Sequence, residues 1–170
     1  VIRSGRLDEL VQDLENYALD VVLSDVMPVS RTLPNLVVHT IAQQAVSLVG
    51  HSVLARQQRP LEELLQTEAL VVPARPSSIR TDFDAFMDRL RIQPVIIAEV
   101  DDMAMLRLVA REHQGLAVVP PIVVKDELDS GVLVEIAKLP GLMETFYALT
   151  MPRQFPHPLL QGVLRRSMFT

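Results

Sequence analysis

An α/β fold built on an open parallel sheet is predicted for this chain by two observations. Apolar runs of strand length alternate with helix-period segments in three places, and each time polar residues gather just beyond the end of a strand. Ligands of open parallel sheets bind past the carboxyl ends of the strands, so the chain offers three candidate binding edges.

The first place starts at Gly5, which closes a strand. It continues through a helix over Asp8 to Tyr17, with Leu7, Leu10, Val11 and Leu14 turned inward, to a strand over Asp20 to Leu23. Ser24 and Asp25 stand at that strand's carboxyl end. Next comes a run free of Lys, Arg, Asp and Glu from Thr32 to Ala55, 24 residues that invite comparison with a membrane span. Asn35, His39, Thr40, Gln43, Gln44, Ser47, His51 and Ser52 put too many polar groups in hydrocarbon for that reading. The apolar residues fall in two clusters, Leu36 to Ile41 and Ala45 to Leu54. Two strands joined by a short turn at Gln43 and Gln44 are expected there.

In the second place Ala69 to Val72 reads as a strand and Pro73 to Ser78 as a tight polar loop. Thr81 to Leu90 reads as a helix carrying Phe83, Phe86, Met87 and Leu90. The third place, Pro94 to Pro121, is the most complete. Val95 to Ala98 has the β-branched content of a buried parallel strand, with Glu99 and Asp101 directly after it. Asp101 or Asp102 caps a helix whose apolar positions are Met103, Leu106 and Ala110, with Met105, Leu108 and Val109 beside them. Gly115 stops that helix, Leu116 to Val119 forms the next strand, and Pro120 with Pro121 ends it.

Composition narrows the function classes. With 49% hydrophobic but only 4% aromatic residues, the chain can bury an aliphatic core as one domain or two small lobes. A net charge of −5 gives it no overall attraction to a phosphate backbone, so this segment alone is not expected to bind DNA. The absence of cysteine removes disulfides, thiolate zinc sites and cysteine nucleophiles, and fits a reducing cytoplasm. The start at Val1-Ile2-Arg3-Ser4 carries no signal-peptide pattern and reads as a cut from a longer protein.

Each candidate site residue has a plain structural alternative. Asp101 and Asp102 serve as helix cap and first-turn acid, worth about 1 kcal/mol, or they meet a ligand. Ser77 and Ser78 cap the following helix, or the free amides there hold an anion with Arg75 and Arg80 nearby. Asp82, Asp84, Asp88, Arg89 and Arg91 read as a solvated helix face, and Met103 and Met105 as core filling. Gly50-His51-Ser52-Val53-Leu54 is a poor nucleophile elbow, because Leu54 stands where the strained turn needs glycine. His39, His51, His113 and His157 lie too far apart for metal-ligand spacing. Leu19 to Pro28 is similar to the phosphoacceptor strand of receiver domains, with Asp25 as acceptor. A receiver also needs an acidic pair and a lysine before proline, and neither Lys125 nor Lys138 precedes one.

Several segments, in order, resemble the effector-binding domain of LysR-type transcriptional regulators. The likeness rests on Gly5, Glu9-Leu10, Leu14 and Leu19-Asp20; on Ala45 to Leu54; and on Pro60-Leu61 with Leu64, then Ala69 to Pro73. It continues through Glu99 to Asp102, Leu108-Val109, Gly115 to Pro120 and Glu127-Leu128 with Gly131 and Leu133. Phe146 to Leu149 and His157-Pro158 close it.

The resemblance implies a type 2 periplasmic-binding-protein-like fold of two α/β lobes joined by two crossing strands. Residues 1–56 and 137–170 would form lobe I and residues 57–136 lobe II, with the first strand and helix of lobe I outside this chain. It further implies a cleft in which Arg6, Ser24, Asp25, Arg75, Ser77, Ser78, Glu99, Asp101 and Pro120 meet an effector. That effector is either a sodium or lithium ion on Asp25, Glu99 and Asp101, or a small anion on Arg6, Arg75 and the Ser77-Ser78 amides. No catalysis, cofactor, bound metal cofactor or membrane contact is implied. A cytoplasmic dimer or tetramer is, with promoter DNA reached only through an N-terminal helix-turn-helix domain not in this chain. A stand-alone solute-binding protein, which would share the fold, and a receiver phosphorylated at Asp25 are the alternatives.

Overall fold

The computed structural model describes residues 1–28, 35–56, 58–112 and 115–153. They fall into two compact units, the first made of Val1–Gln43 and the segment from Thr145 onward, the second of Gln44–Glu144. Six strands, β1 (Val22–Ser24), β2 (Val37–Gly50), β3 (Ala69–Pro73), β4 (Val95–Val100), β5 (Leu116–Val119) and β6 (Val134–Thr150), run in the order β1-β6-β2-β5-β3-β4. The described helices are α1 (Leu7–Glu15), α2 (Ser52–Ala55), α3 (Leu61–Thr67), α4 (Ser78–Leu90), α5 (Met103–Glu112) and α6 (Lys125–Ser130).

In the first unit, α1 places Val11 and Leu14 three residues apart on one face, and both are buried with Val22 and Leu149; Leu7 and Leu10 pack at the margin. β1 pairs antiparallel with β6, Val22 opposite Leu149. Arg153 ties the α1–β1 loop, donating to the Leu19 carbonyl at 2.7 Å and pairing with Asp20 at 2.9 Å. The strand expected before Gly5 is not formed. Residues 1–6 lie in no element, with Val1 and Ile2 exposed, because no described strand runs beside them to take up their backbone groups.

The turn expected at Gln43-Gln44 is likewise absent: β2 is one strand of 14 residues. Glutamine supplies no positive φ and withholds no N–H, so nothing breaks the ladder, and the polar pair marks the point where β2 leaves the first unit for the second. β6 makes the return passage, and within it Gly141 takes a φ of 77°, which suits a residue without Cβ.

The second unit has β3 at its centre, parallel to β4 on one side and β5 on the other, while β5 pairs antiparallel with β2. Alternation along these strands feeds two cores. Leu70, Val72, Leu116 and Val118 face α4, whose Ile79, Phe83, Phe86 and Met87 cover them. Val71, Ala117 and Val119 face α5, which contributes Leu106 and Ala110. β4 is an edge strand, and not the fully buried one its composition predicted: Val95, Ile97 and Glu99 are exposed. A register shift against β3 leaves Ile97 as the extra residue, since Leu70 pairs with Ile96 and Val71 with Ala98. Among the described residues no helix is long and apolar enough to cross a membrane.

Candidate functional site

The carboxyl ends of β3 and β4 and the amino end of α4 meet in the second unit. The Ala74 N–H donates to the Val100 carbonyl at 2.7 Å, which fastens the loop after β3 to the end of β4. Ser77 then takes the N-cap position with extended dihedrals, and α4 begins at Ser78, three residues before the expected Thr81. Neither serine acts as a side-chain cap. Their Oγ atoms are buried and have no hydrogen-bond partner, beside the first-turn amides of a 13-residue helix whose positive end they share. A buried hydroxyl in that state costs about 1–3 kcal/mol, which a polar ligand atom would recover.

Arg80 holds this corner together. Its side chain is 7% exposed; Nε donates to Asp84 Oδ1 at 2.8 Å, and its two terminal nitrogens take both Glu99 oxygens at 3.0 Å. A longer bond of 3.4 Å reaches the Pro73 carbonyl. One guanidinium thus joins β3, α4 and β4. Arg75, well exposed, also pairs with Asp84. The hydrogen bond from Arg80 holds the Glu99 carboxyl below its ordinary range and raises Arg80 in turn. Burial alone would push Asp84 up, yet the bonds from Arg75 and Arg80 keep it below the ordinary value. Asp84 therefore departs from the solvated face expected of the charges along this helix.

The sequence-predicted residues are distributed between both units. Arg6, Ser24 and Asp25 belong to the first. Arg6 is exposed at the N-cap of α1 and is occupied by Asp8 at 3.1 Å. Ser24 closes a local turn, its Oγ donating to the Val26 carbonyl at 2.8 Å and accepting the Val26 N–H at 3.0 Å. Asp25 is half-buried just after β1. In the second unit Glu99 pairs with Arg80, Arg75 joins it through Asp84, and Ser77 and Ser78 open the same helix, whereas Asp101 and Pro120 stay outside that network. Asp101 is exposed after β4, and Asp102 is the cap of α5, accepting the Met105 N–H at 2.8 Å. Pro120 is buried at the start of a 3-10 turn over Pro121–Val124, where its carbonyl accepts the Val123 N–H at 3.0 Å.

The depth of Arg80 and its partnership with Asp84 escaped the sequence reading. Their i, i+4 spacing was the available signal. The link to Glu99, across 19 positions, had none. Among the described residues no group of three or more His, Cys, Asp or Glu side chains is placed to hold a metal ion. His113 and His157 lie outside the described residues.

Comparison with known proteins places this geometry. The chain is 23% identical over 154 residues to the transcriptional activator protein NhaR of Escherichia coli (strain K12), covering 91% of this chain and 50% of that protein. It thus spans about half the length of the curated relatives it matches. Among solved structures, Vibrio fischeri DarR in complex with DNA superimposes with a TM-score of 0.73 at 18% identity, covering 96% of this chain and 55% of that one. The effector-binding domain of QuiR in complex with shikimate gives 0.64 at 15% identity, covering 94% and 75%. These structural likenesses establish the fold, an α/β effector-binding-domain fold of the periplasmic-binding-protein type. The family model described as LysR substrate binding domain matches residues 1–167, and the chain belongs to that family.

Proposed function

We propose that this chain senses a small organic anion at the amino end of α4 and acts within a larger DNA-binding regulator. The observation that carries the reading is the pair of buried, unpartnered hydroxyls of Ser77 and Ser78 at a helix amino terminus; Arg75 on the adjoining loop is paired with Asp84 but well exposed. Helix amino termini favour negative ligands through free amides and the axial dipole. The second-unit acids proposed for a cation are less well placed, since Glu99 already serves Arg80 and Asp101 stands apart. QuiR, of the same fold, is described with the carboxylate shikimate, which agrees in chemistry.

Within this proposal the sequence-derived lobes, residues 1–56 with 137–170 and residues 57–136, are retained. The effector acts by shifting populations, because a ligand moves an equilibrium only by its differential affinity for the two states. A swing from 1:99 to 99:1 takes about 5.5 kcal/mol of preference, so several contacts must act together. Promoter binding, activation, a cytoplasmic setting and homo-oligomer formation belong to the whole protein and are part of the same proposal. For the oligomer contact we favour the edge of β4 with α5, where Val95, Ile97, Met105 and Leu108 are each about half exposed.

Thermal denaturation of the full-length protein tests the effector. A panel of metabolite carboxylates, each beside its neutral amide, is compared with sodium and lithium chlorides against choline chloride. Stabilisation by a carboxylate alone, lost in Ser77→Ala with Ser78→Ala, is expected. Stabilisation by sodium or lithium alone would replace the anion by a cation.

A further inference from the structure

The second unit also holds a groove of about 410 Å³, lined by α6, by the start of the 3-10 turn before it and by the two long strands. It shares no residue with the α4 corner. Ala45, Pro121, Ile122 and Leu128 make its apolar walls, and Ile122 remains 38% exposed there. The volume falls in the range of small-molecule pockets, roughly 300–1,000 Å³, and the groove is open to solvent.

Two lysines, one aspartate and one glutamate border it, and only one pair of them is joined. Lys125 and Asp129 neutralise one another at 2.7 Å, four residues apart on α6. Glu135 accepts a 2.8 Å hydrogen bond from Ser47, whose residue is fully buried. Neither Lys138 nor Glu135 has an ion-pair partner among the described residues, so the groove carries one unpaired ammonium and one unpaired carboxylate, the latter held by Ser47. Gln44, also bordering the groove, carries a buried Oε1 that accepts no hydrogen bond. Apolar walls, an unpaired ammonium and an unsatisfied oxygen, with the Glu135 carboxylate turned to Ser47, give an open groove the makings of a ligand site.

We propose that this groove is a second ligand site, taking a small monocarboxylate with an apolar body. The carboxylate pairs with Lys138, the body covers Ile122 and Leu128, and a hydroxyl or N–H on the ligand supplies the donor that Gln44 lacks. The site is independent of the α4 reading and stands or falls separately from it.

Isothermal titration of the full-length protein with hexanoate and phenylacetate, beside hexanol and phenylethanol, is the test. Saturable binding of the carboxylates is expected, weakened about tenfold or more by Lys138→Gln, an exposed position whose change leaves the fold intact. Ala45→Met, which fills the groove, should abolish it, and Ser77→Ala should leave it unchanged. No saturable heat, equal binding of the alcohols, or sensitivity to Ser77→Ala with none to Lys138→Gln overturns the proposal.

Discussion

A methyl group on Gly50 would sit 2.8 Å from Leu116 Cδ2 and 3.0 Å from the Gly115 carbonyl oxygen. Leu116 is fully buried and the carbonyl is backbone, so neither can withdraw cheaply. Gly50→Ala should therefore destabilise by about 2 kcal/mol, read as a lowered urea midpoint with an unchanged slope. Arg80 makes the opposite kind of point, since its importance lies in what it touches. Arg80→Met leaves Glu99 without its main donor and Asp84 with Arg75 alone, and should lower the urea midpoint near neutral pH. The two carboxyls have folded-state values below their ordinary 4.5 and 3.8. Their contribution is thus present above those ordinary values and is lost as pH falls through the folded-state ones. The gap between parent and Arg80→Met in urea melts should accordingly narrow in acid, and a gap independent of pH would show that the ion network is not what Arg80 supplies.

Elements divide by how locally their signals are written. The apolar faces of α1 and α5 were legible because helix burial follows the 3.6-residue period, and Leu14 and Leu106 are fully buried, whereas Met105, expected to fill the core, and Leu108 beside it lie off that face and are about half exposed. β5 was legible from its run of four apolar residues ended by Pro120 and Pro121. What could not be read is what depends on a strand's neighbours: whether β4 is central or at an edge is decided by which other strands exist, and its own composition is compatible with both. For the same reason β2 was broken in two, and the strand before Gly5 was expected where no partner receives it. The candidate site follows the same division, with Ser77 and Ser78 legible from the loop and the Arg80–Glu99 link invisible. Phe83→Ala should cost about 3–5 kcal/mol, because the ring is fully buried between α4 and the sheet. The edge position of β4 carries its own expectation: Ile97→Lys, on a side chain already half exposed, should leave the melting temperature nearly unchanged while dissociating the full-length oligomer in sedimentation velocity.

At the scale of the whole molecule, each buried cluster among the described residues is drawn from a single unit. The α4-facing and α5-facing cores both draw on residues between Gln44 and Glu144, and the third cluster, with Val11, Leu14, Val22 and Leu149, lies in the other unit. A fragment of residues 44–144 should therefore unfold cooperatively by itself, with coincident transitions by circular dichroism and fluorescence of a reporter placed on α4. A broad, non-cooperative melt would show that the first unit is needed to complete it. The point of departure and the point of return are close: β2 and β6 are neighbours in the sheet, and the Gln43 amide donates to the Thr145 hydroxyl at 3.4 Å. Evolution, or an engineer, can thus lift out everything between those two side chains and splice in a foreign cassette with adjoining ends, without rethreading the host.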